Sequence, residues 1–195
     1  MKDALEDFRR TIETAAARLG ALGEAEARTA REAGAWTPKE IVGHLIDSAA
    51  NNHGRFVRAQ FTDDLVFPGY EQEEWVRAQR YNEESWPLLV ELWKTYNLHL
   101  LHVMACAPEE TLERPRARHS LDRIAWQTLD ANQPATLEYL MRDYVGHLKS
   151  HLRQIFPDEQ EDVSTQGKKI ETARESISPE GAIDSSPVRK RGDDC

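Results

Sequence analysis

Apolar residues recur every three or four positions through four long stretches of the chain, with polar residues filling the intervals. Leu5, Phe8, Ile12, Ala15, Ala16 and Leu19 make one stripe of a helix predicted over about Lys2 to Leu19, which Gly20 and Gly23 bring to an end. A second helix starts inside "WTPKE". There Thr37 can cap, Pro38 suits the first helical position, and Glu40 completes a Thr-x-x-Glu box; the helix should run to about Phe61. A loop through "TDDLVFPGY" and a short helix over "EQEEWVRAQ" lead to "NEESWP", which opens the third long helix, since Pro87 is tolerated only in a first turn. Its apolar face is predicted as Leu89, Leu92, Trp93, Tyr96, Leu100 and Val103, and Pro108 ends it.

The next stretch, "PEETLERPRARHSLDRIAWQTLDANQ", reads as an irregular, charged crossing long enough to carry the chain back along a bundle. Connections of that length are usually functional or contain short elements of their own. A fourth helix is predicted from near Pro134, capped by Asn132 or Gln133, to Phe156, where Pro157 stops it. Alternating β-branched runs are missing, so the pattern predicts an all-α, antiparallel four-helix bundle over residues 1–157. Residues 158–195 contain no aromatics and few aliphatics. They read as a disordered polar tail, and "RKR" at Arg189 to Arg191 as part of its solvated surface.

Charge narrows the function classes. The net charge of −9 argues against nucleic-acid partners, which call for a basic face. Two cysteines, Cys106 and Cys195, give no disulfide framework. "MKDALEDF" carries acidic residues where a secretory signal needs apolar ones, and the longest charge-free run, Tyr96 to Pro108, is too short to span a bilayer. A cytoplasmic protein acting on a small-molecule substrate, without a membrane partner, is expected. Trp75, Trp86 and Trp126 could supply an apolar surface for a homodimer or simply pack.

The chemistry concentrates in histidines. In "DYVGHLKSHLRQIF", His151 falls within the stripe formed by Leu137, Leu140, Met141, Tyr144, Leu148 and Ile155, and His147 lies on its edge. Residues four apart are neighbours on a helix, so these imidazoles can converge. The spacing alone is a weak motif, and core histidines satisfied by a carbonyl are common. Yet two rings facing an apolar interior would bury like charges if both were protonated, a difficulty that a divalent cation removes by taking one nitrogen from each. A third ligand is expected from a facing helix. His44 flanks the apolar side of the second helix and begins a polar stripe, His44, Ser48, Asn51 and Arg55, that could line a cleft. His53 points roughly the opposite way, His99 and His102 read as rim residues, and His119 has no supporting motif.

The segments "WTPKEIVGHLIDSAANNHGRF", "WPLLVELWKTYNLHLL" and "DYVGHLKSHLRQI" together resemble the DinB-like metal-binding helical bundle superfamily, which includes metal-dependent hydrolases and bacillithiol and mycothiol transferases. The resemblance spans about Leu5 to Phe156. It implies a metal-binding triad at His44, His147 and His151. Three imidazoles around zinc or nickel would leave a position open, as catalytic rather than structural sites do. A low-molecular-weight thiol as co-substrate is a further implication. "HLKSH" has no Glu after its first His, so the general base of the H-E-x-x-H peptidases is missing. Asp47, one turn after His44, and Asp143, one turn before His147, are the candidates for a base or a partner to the ligands, and either could equally be a plain surface carboxylate. Asn51, Arg55 and Tyr144 are candidates for orienting a substrate or cofactor. Two readings follow: a metal-dependent hydrolase or thiol S-transferase, or a non-enzymatic metal-stabilised stress-response or binding protein.

Overall fold

A reciprocal cap sets the start of the helix on which the site is built. Thr37 Oγ1 accepts from the Glu40 amide at 3.2 Å, and the Glu40 carboxylate accepts from the Thr37 amide at 2.8 Å. This opens α3 (Pro38–Arg58) with Pro38 in its first turn, as the sequence predicts. The computed structural model describes residues 1–157, so the expected polar tail at 158–195 lies outside the described residues. The other elements are α1 (Lys2–Ala21), α2 (Glu24–Ala27), α4 (Gln72–Gln79), α5 (Trp86–Cys106), α6 (Glu109–Glu113), α7 (Leu121–Ile124) and α8 (Leu137–Ile155). A 3-10 turn at Tyr81–Glu83 sits between α4 and α5. Among the described residues there are isolated β-bridges but no strands.

Every residue of α3 from Ile41 to Ala49 is buried, because α2, α4, α5, α8 and the 3-10 turn surround it. Even Lys39 is fully buried, donating to the Glu24 carboxylate and to the Glu84 carbonyl. Replacing Thr37 by alanine removes one half of the cap and its bond to Asn82. We expect a loss of about 1 kcal/mol, read as a fall of roughly 2–4 °C in Tm on thermal denaturation.

The four long helices form a four-helix bundle in which α1 and α3 each pack on α5 and α8. Two neighbouring pairs run antiparallel, as expected. Trp86 Nε1 at the start of α5 donates to the Leu19 carbonyl near the end of α1, and residues 44 and 48 of α3 meet 151 and 147 of α8. The other two pairs run parallel. Asp7 of α1 pairs with Lys149 of α8, and the Arg18 guanidinium lies 4.0 Å from the centre of the Phe156 ring. Likewise Lys39 meets Glu84, and further along α3 His53 meets Tyr96 of α5. A parallel pair consecutive among the long helices requires a crossover rather than a tight hairpin, which is why α3 and α5 are joined by an extended segment.

Three expectations are corrected. The fourth helix begins at Leu137 with Thr136, not Asn132 or Gln133, as its cap; the Thr136 hydroxyl accepts from the Tyr139 amide at 3.1 Å, while Ala135 is engaged in a two-bond bridge to Arg116. The buried face of α5 is Trp86, Leu89, Val90, Trp93, Asn97, Leu100, Leu101 and Met104, which leaves Leu92 45% exposed. Asn97 turns that face: its Oδ1 accepts from the Tyr144 hydroxyl at 2.6 Å and its Nδ2 donates to the Trp93 carbonyl, so a polar side chain is satisfied inside the core. Trp86 is buried by the same packing and offers no surface for a second copy.

The crossing is ordered by hydrogen bonds. The buried Arg116 guanidinium donates to the carbonyls of Thr111, Arg114 and Ala59, and Leu65 bonds with Arg118 and Ser120. His119 belongs to this stitching, with one ring nitrogen 2.8 Å from the Gln133 carbonyl and the other accepting from the Leu121 amide.

Candidate metal centre

α3 and α8 cross where each carries a Gly-His pair, Gly43-His44 and Gly146-His147. Both glycines face an aromatic ring at a distance that no Cβ tolerates. A Cβ at Gly43 would lie 2.1 Å from the Tyr81 ring, and one at Gly146 would lie 2.9 Å from that of Trp126. Each helix thereby admits a ring against its backbone beside its histidine, Tyr81 from the 3-10 turn on α3 and Trp126 from the crossing on α8.

At the crossing, His44, His147 and His151 bring one ligand nitrogen each to within 4.8 Å of one another. His44 is fully buried, and the other two are partly buried. The Nε2 atoms of His44 and His147 are 3.2 Å apart, a contact that needs one of the rings to carry its proton there. His147 Nδ1 is 3.5 Å from Ser48 Oγ and His151 Nδ1 is 3.2 Å from Gln154 Oε1, which leaves the Nε2 atoms of both rings for the shared centre. His44 Nδ1 is buried without a hydrogen-bond partner. Trp36 walls the group on one side, its ring 5.2 Å from that of His44 and stacked 6.3 Å from that of His151.

Burial, followed by the neighbouring imidazoles, holds His44 down at a pKa of about 3 and His147 at about 4; burial also lowers His151, against the pull of Gln154. All three are therefore neutral at physiological pH, the state in which an imidazole can ligate a cation. This donor set fits a divalent ion: three nitrogen ligands from two helices, neutral together, with a cavity alongside. In the ion-free chain the same shifts have a pH consequence. The unfolded rings protonate near 6.5 and the folded ones well below it, so their contribution to stability is complete above about pH 6.5 and is lost as pH falls through that value towards 4 and 3. Each ring contributes a slope of up to ~1.4 kcal/mol per pH unit. Denaturant titrations of chelated protein between pH 7.5 and 5 should therefore be steeper in pH for the parent than for His147→Gln, and equal slopes would contradict the assignment.

A cavity of about 220 Å³ borders His147 and His151, with Ser48, Asn52, Arg55 and Tyr70 on one wall and Trp126, Asp143 and Tyr144 on the other. A second, wider cavity of about 520 Å³ reaches His151 from the side of Trp36 and Arg31. Of the residues singled out in the sequence, Arg55 and Tyr144 line the smaller cavity, whereas Asn51 does not; its amide donates to the Asp47 carbonyl, and Asn52 takes the place expected for it. Tyr144 is a core residue as well, its ring edge-on to Phe8 and Phe56.

The two candidate carboxylates differ. Asp47 is buried away from the cavity lining, and its Oδ1 accepts from the Tyr81 hydroxyl at 2.8 Å and from Gln79 at 2.7 Å, which braces α3 against the 3-10 turn. Asp143 does line the cavity, and its two oxygens accept the Trp126 and Gln127 amides at 2.9 and 2.7 Å. It pins the crossing to α8 and so builds the far wall. Burial raises the pKa of both. Ser48 lines the cavity as its place in the polar stripe suggests, whereas Trp36, Asn52, Tyr70 and Trp126 are not among the site residues expected from the sequence. The Trp-x-Pro opening of α3 was visible, but Tyr70 and Trp126 arrive from loops whose course no periodicity encodes. His53, His99 and His102 stand apart, with the His53 and His99 rings 5.0 Å from each other.

Comparison with known proteins agrees with this architecture. A solved structure of YfiT from Bacillus subtilis, described as a probable metal-dependent hydrolase with an unusual four-helix bundle topology, superposes with a TM-score of 0.63 at 18% sequence identity, covering 80% of this chain and 86% of that one. No curated protein matches the sequence. No helix of the described residues is long and apolar enough to cross a membrane. The family model of the DinB superfamily matches residues 7–155, a span that includes both Gly-His pairs and all four long helices but for the first residues of α1, and the chain therefore belongs to the DinB superfamily.

Proposed function

We propose that this protein is a divalent-metal-dependent enzyme, a hydrolase or small-molecule thiol S-transferase, whose ion is held by His44, His147 and His151. The observation that carries the reading is the convergence of three neutral imidazole nitrogens beside an open cavity. The likeness to YfiT gives the hydrolase reading a precedent in fold. When bound, a zinc or nickel ion would supply Lewis acidity and bring a water or thiol in its remaining position towards deprotonation at neutral pH.

The chain's own residues supply the rest. Ser48 and Gln154 orient His147 and His151 through the nitrogens turned away from the centre. Trp36 and Trp126 restrict water on opposite sides. Asp143 keeps the cavity wall in register, and Asp47 braces the middle of α3 against Tyr81 and Gln79. His151 borders both cavities, so two small molecules can approach one point, an arrangement that suits transfer from a low-molecular-weight thiol as well as hydrolysis. Trp75 and Trp126, 39% and 45% exposed, remain the candidates for a homodimer contact.

The test pairs chelation with two readouts. Under this reading, removing the ion abolishes turnover of a panel of ester, amide and thiol substrates, while helical circular dichroism stays close to that of the loaded protein. A large fall in Tm with no turnover before chelation would instead make the ion a structural clasp between α3 and α8.

A further inference from the structure

We propose that the cavity beside the three histidines recognises an anionic group on the substrate, a carboxylate or phosphoryl group, through the Arg55 guanidinium. The inference rests on the reading of that cavity as the substrate's seat, and its evidence is separate from the histidines. Arg55 is 6% exposed and lines the cavity. A guanidinium taken out of water without a counter-charge is costly unless its donors are satisfied.

Arg55 is poorly satisfied within the described residues. It donates to the Pro68 carbonyl at 2.9 Å and, at a long 3.4 Å, to Asn52 Oδ1, which leaves three of its five N–H groups without a protein acceptor. No carboxylate among the described residues pairs with it. Tyr70, which also lines the cavity and acts electrostatically on Arg55, has its pKa pushed up to about 12 by burial and then by Asp47, so at neutral pH it is an uncharged phenol able to donate. The protein's other buried cations are treated differently. Lys39 pairs with Glu24, and Arg116, whose Nε is buried without a partner, spends its two terminal nitrogens on three backbone carbonyls. Arg55 alone of these faces a cavity with donors to spare.

The surroundings favour negative charge as well. Arg123 borders the same cavity from the crossing, held loosely at 3.6 Å by Asp122. Asp143 is the carboxylate of the lining, and both of its oxygens are already met by backbone N–H groups. In a chain of net charge −9, this is a local reversal of sign. The planar fork of arginine matches carboxylate and phosphoryl oxygens two at a time. The volume of about 220 Å³ corresponds to roughly seven waters at ~30 Å³ each, room to seat a carboxylate or phosphoryl group beside the histidines.

The test uses the full chain loaded with zinc, with acetate and inorganic phosphate as probes and acetamide as the neutral counterpart of acetate. Binding is read by calorimetry and by the 15N shift of Arg55 Nε. We expect acetate or phosphate to move the Arg55 signal and acetamide to leave it unmoved. Arg55→Met should weaken anion binding by about tenfold or more, and Arg55→Lys by less. A response to phosphate without acetate assigns a phosphoryl group, and the converse a carboxylate. An unmoved Arg55 signal, equal binding of acetamide, or unchanged affinity in a folded Arg55→Met protein overturns the proposal. Anion binding that His147→Ala abolishes and Arg55→Met spares also overturns it, since the anion then sits on the ion and the metal reading survives. Arg55-dependent binding in a chain that takes up no zinc leaves this inference standing while the metal reading falls.

Discussion

The His147→Ala variant is expected to lose its divalent ion. Protein purified without added metal should carry about one ion per chain, a stoichiometry that follows from one three-histidine group among the described residues. Removing an outer partner of a ligand typically costs about 10- to 100-fold in affinity, and deleting a ligand itself should exceed that range. His44→Ala should behave alike, because its ring meets both His147 and His151, with centres 5.2 and 4.6 Å away. His102→Gln is the control. His102 is exposed on α5, its contacts are to Cys106 and the neighbouring His99, and its loss should leave the ion in place. Elemental analysis and zinc titration of the three variants decide the matter; retention of a full ion by His147→Ala would remove that residue from the centre.

Gly43→Ala should be the most damaging single methyl group in the bundle. The added carbon would sit 2.1 to 2.4 Å from three atoms of the Tyr81 ring, which is 6% exposed and tied through its hydroxyl to Asp47. The ring has nowhere to retreat without breaking that bond or shifting the 3-10 turn off α3. Overpacking of this kind costs about 1–3 kcal/mol and occasionally more, or a fall of roughly 2–12 °C in Tm for a domain of this size. Gly146→Ala meets Trp126 at 2.9 Å, but that ring is half exposed and can swing outward, so its penalty should be under about 1 kcal/mol. Thermal melts of the two variants side by side provide the comparison, and equal melting temperatures would refute the argument.

Much of this was legible in the residues themselves. Thr37, Pro38 and Glu40 announced α3 because capping is local chemistry, and the three- and four-residue spacing of Leu137, Leu140, Tyr144 and Leu148 announced the core face of α8 for the same reason. Two of the three histidines share a helix turn and the third opens a polar stripe on a strongly capped helix, but it was the resemblance to the DinB-like family that joined them into one triad. The face of α5 was misjudged because hydropathy ranks Leu92 above Asn97, while the fold rewards Asn97 for the hydroxyl of Tyr144, a partner 47 positions away. Relative helix directions were equally hidden. Nothing in a periodic stripe says whether its neighbour runs with it or against it; that is decided by the crossovers, whose bonds join residues such as Leu65 and Arg118 across the sequence.

Ligand-bearing residues and cavity wall have separate supports. The histidines stand on two rods locked face to face, whereas Trp126 and Arg123 hang from a strap fastened by the Asp143 carboxylate, by two short backbone bridges and by the side chains of Arg116 and His119. Changes of length or composition in that strap can therefore remodel what the cavity admits while the three histidines keep their arrangement. On the proposed reading, such a division would let a single scaffold be retuned to new substrates by loop exchange, with no need to reinvent its reactive centre.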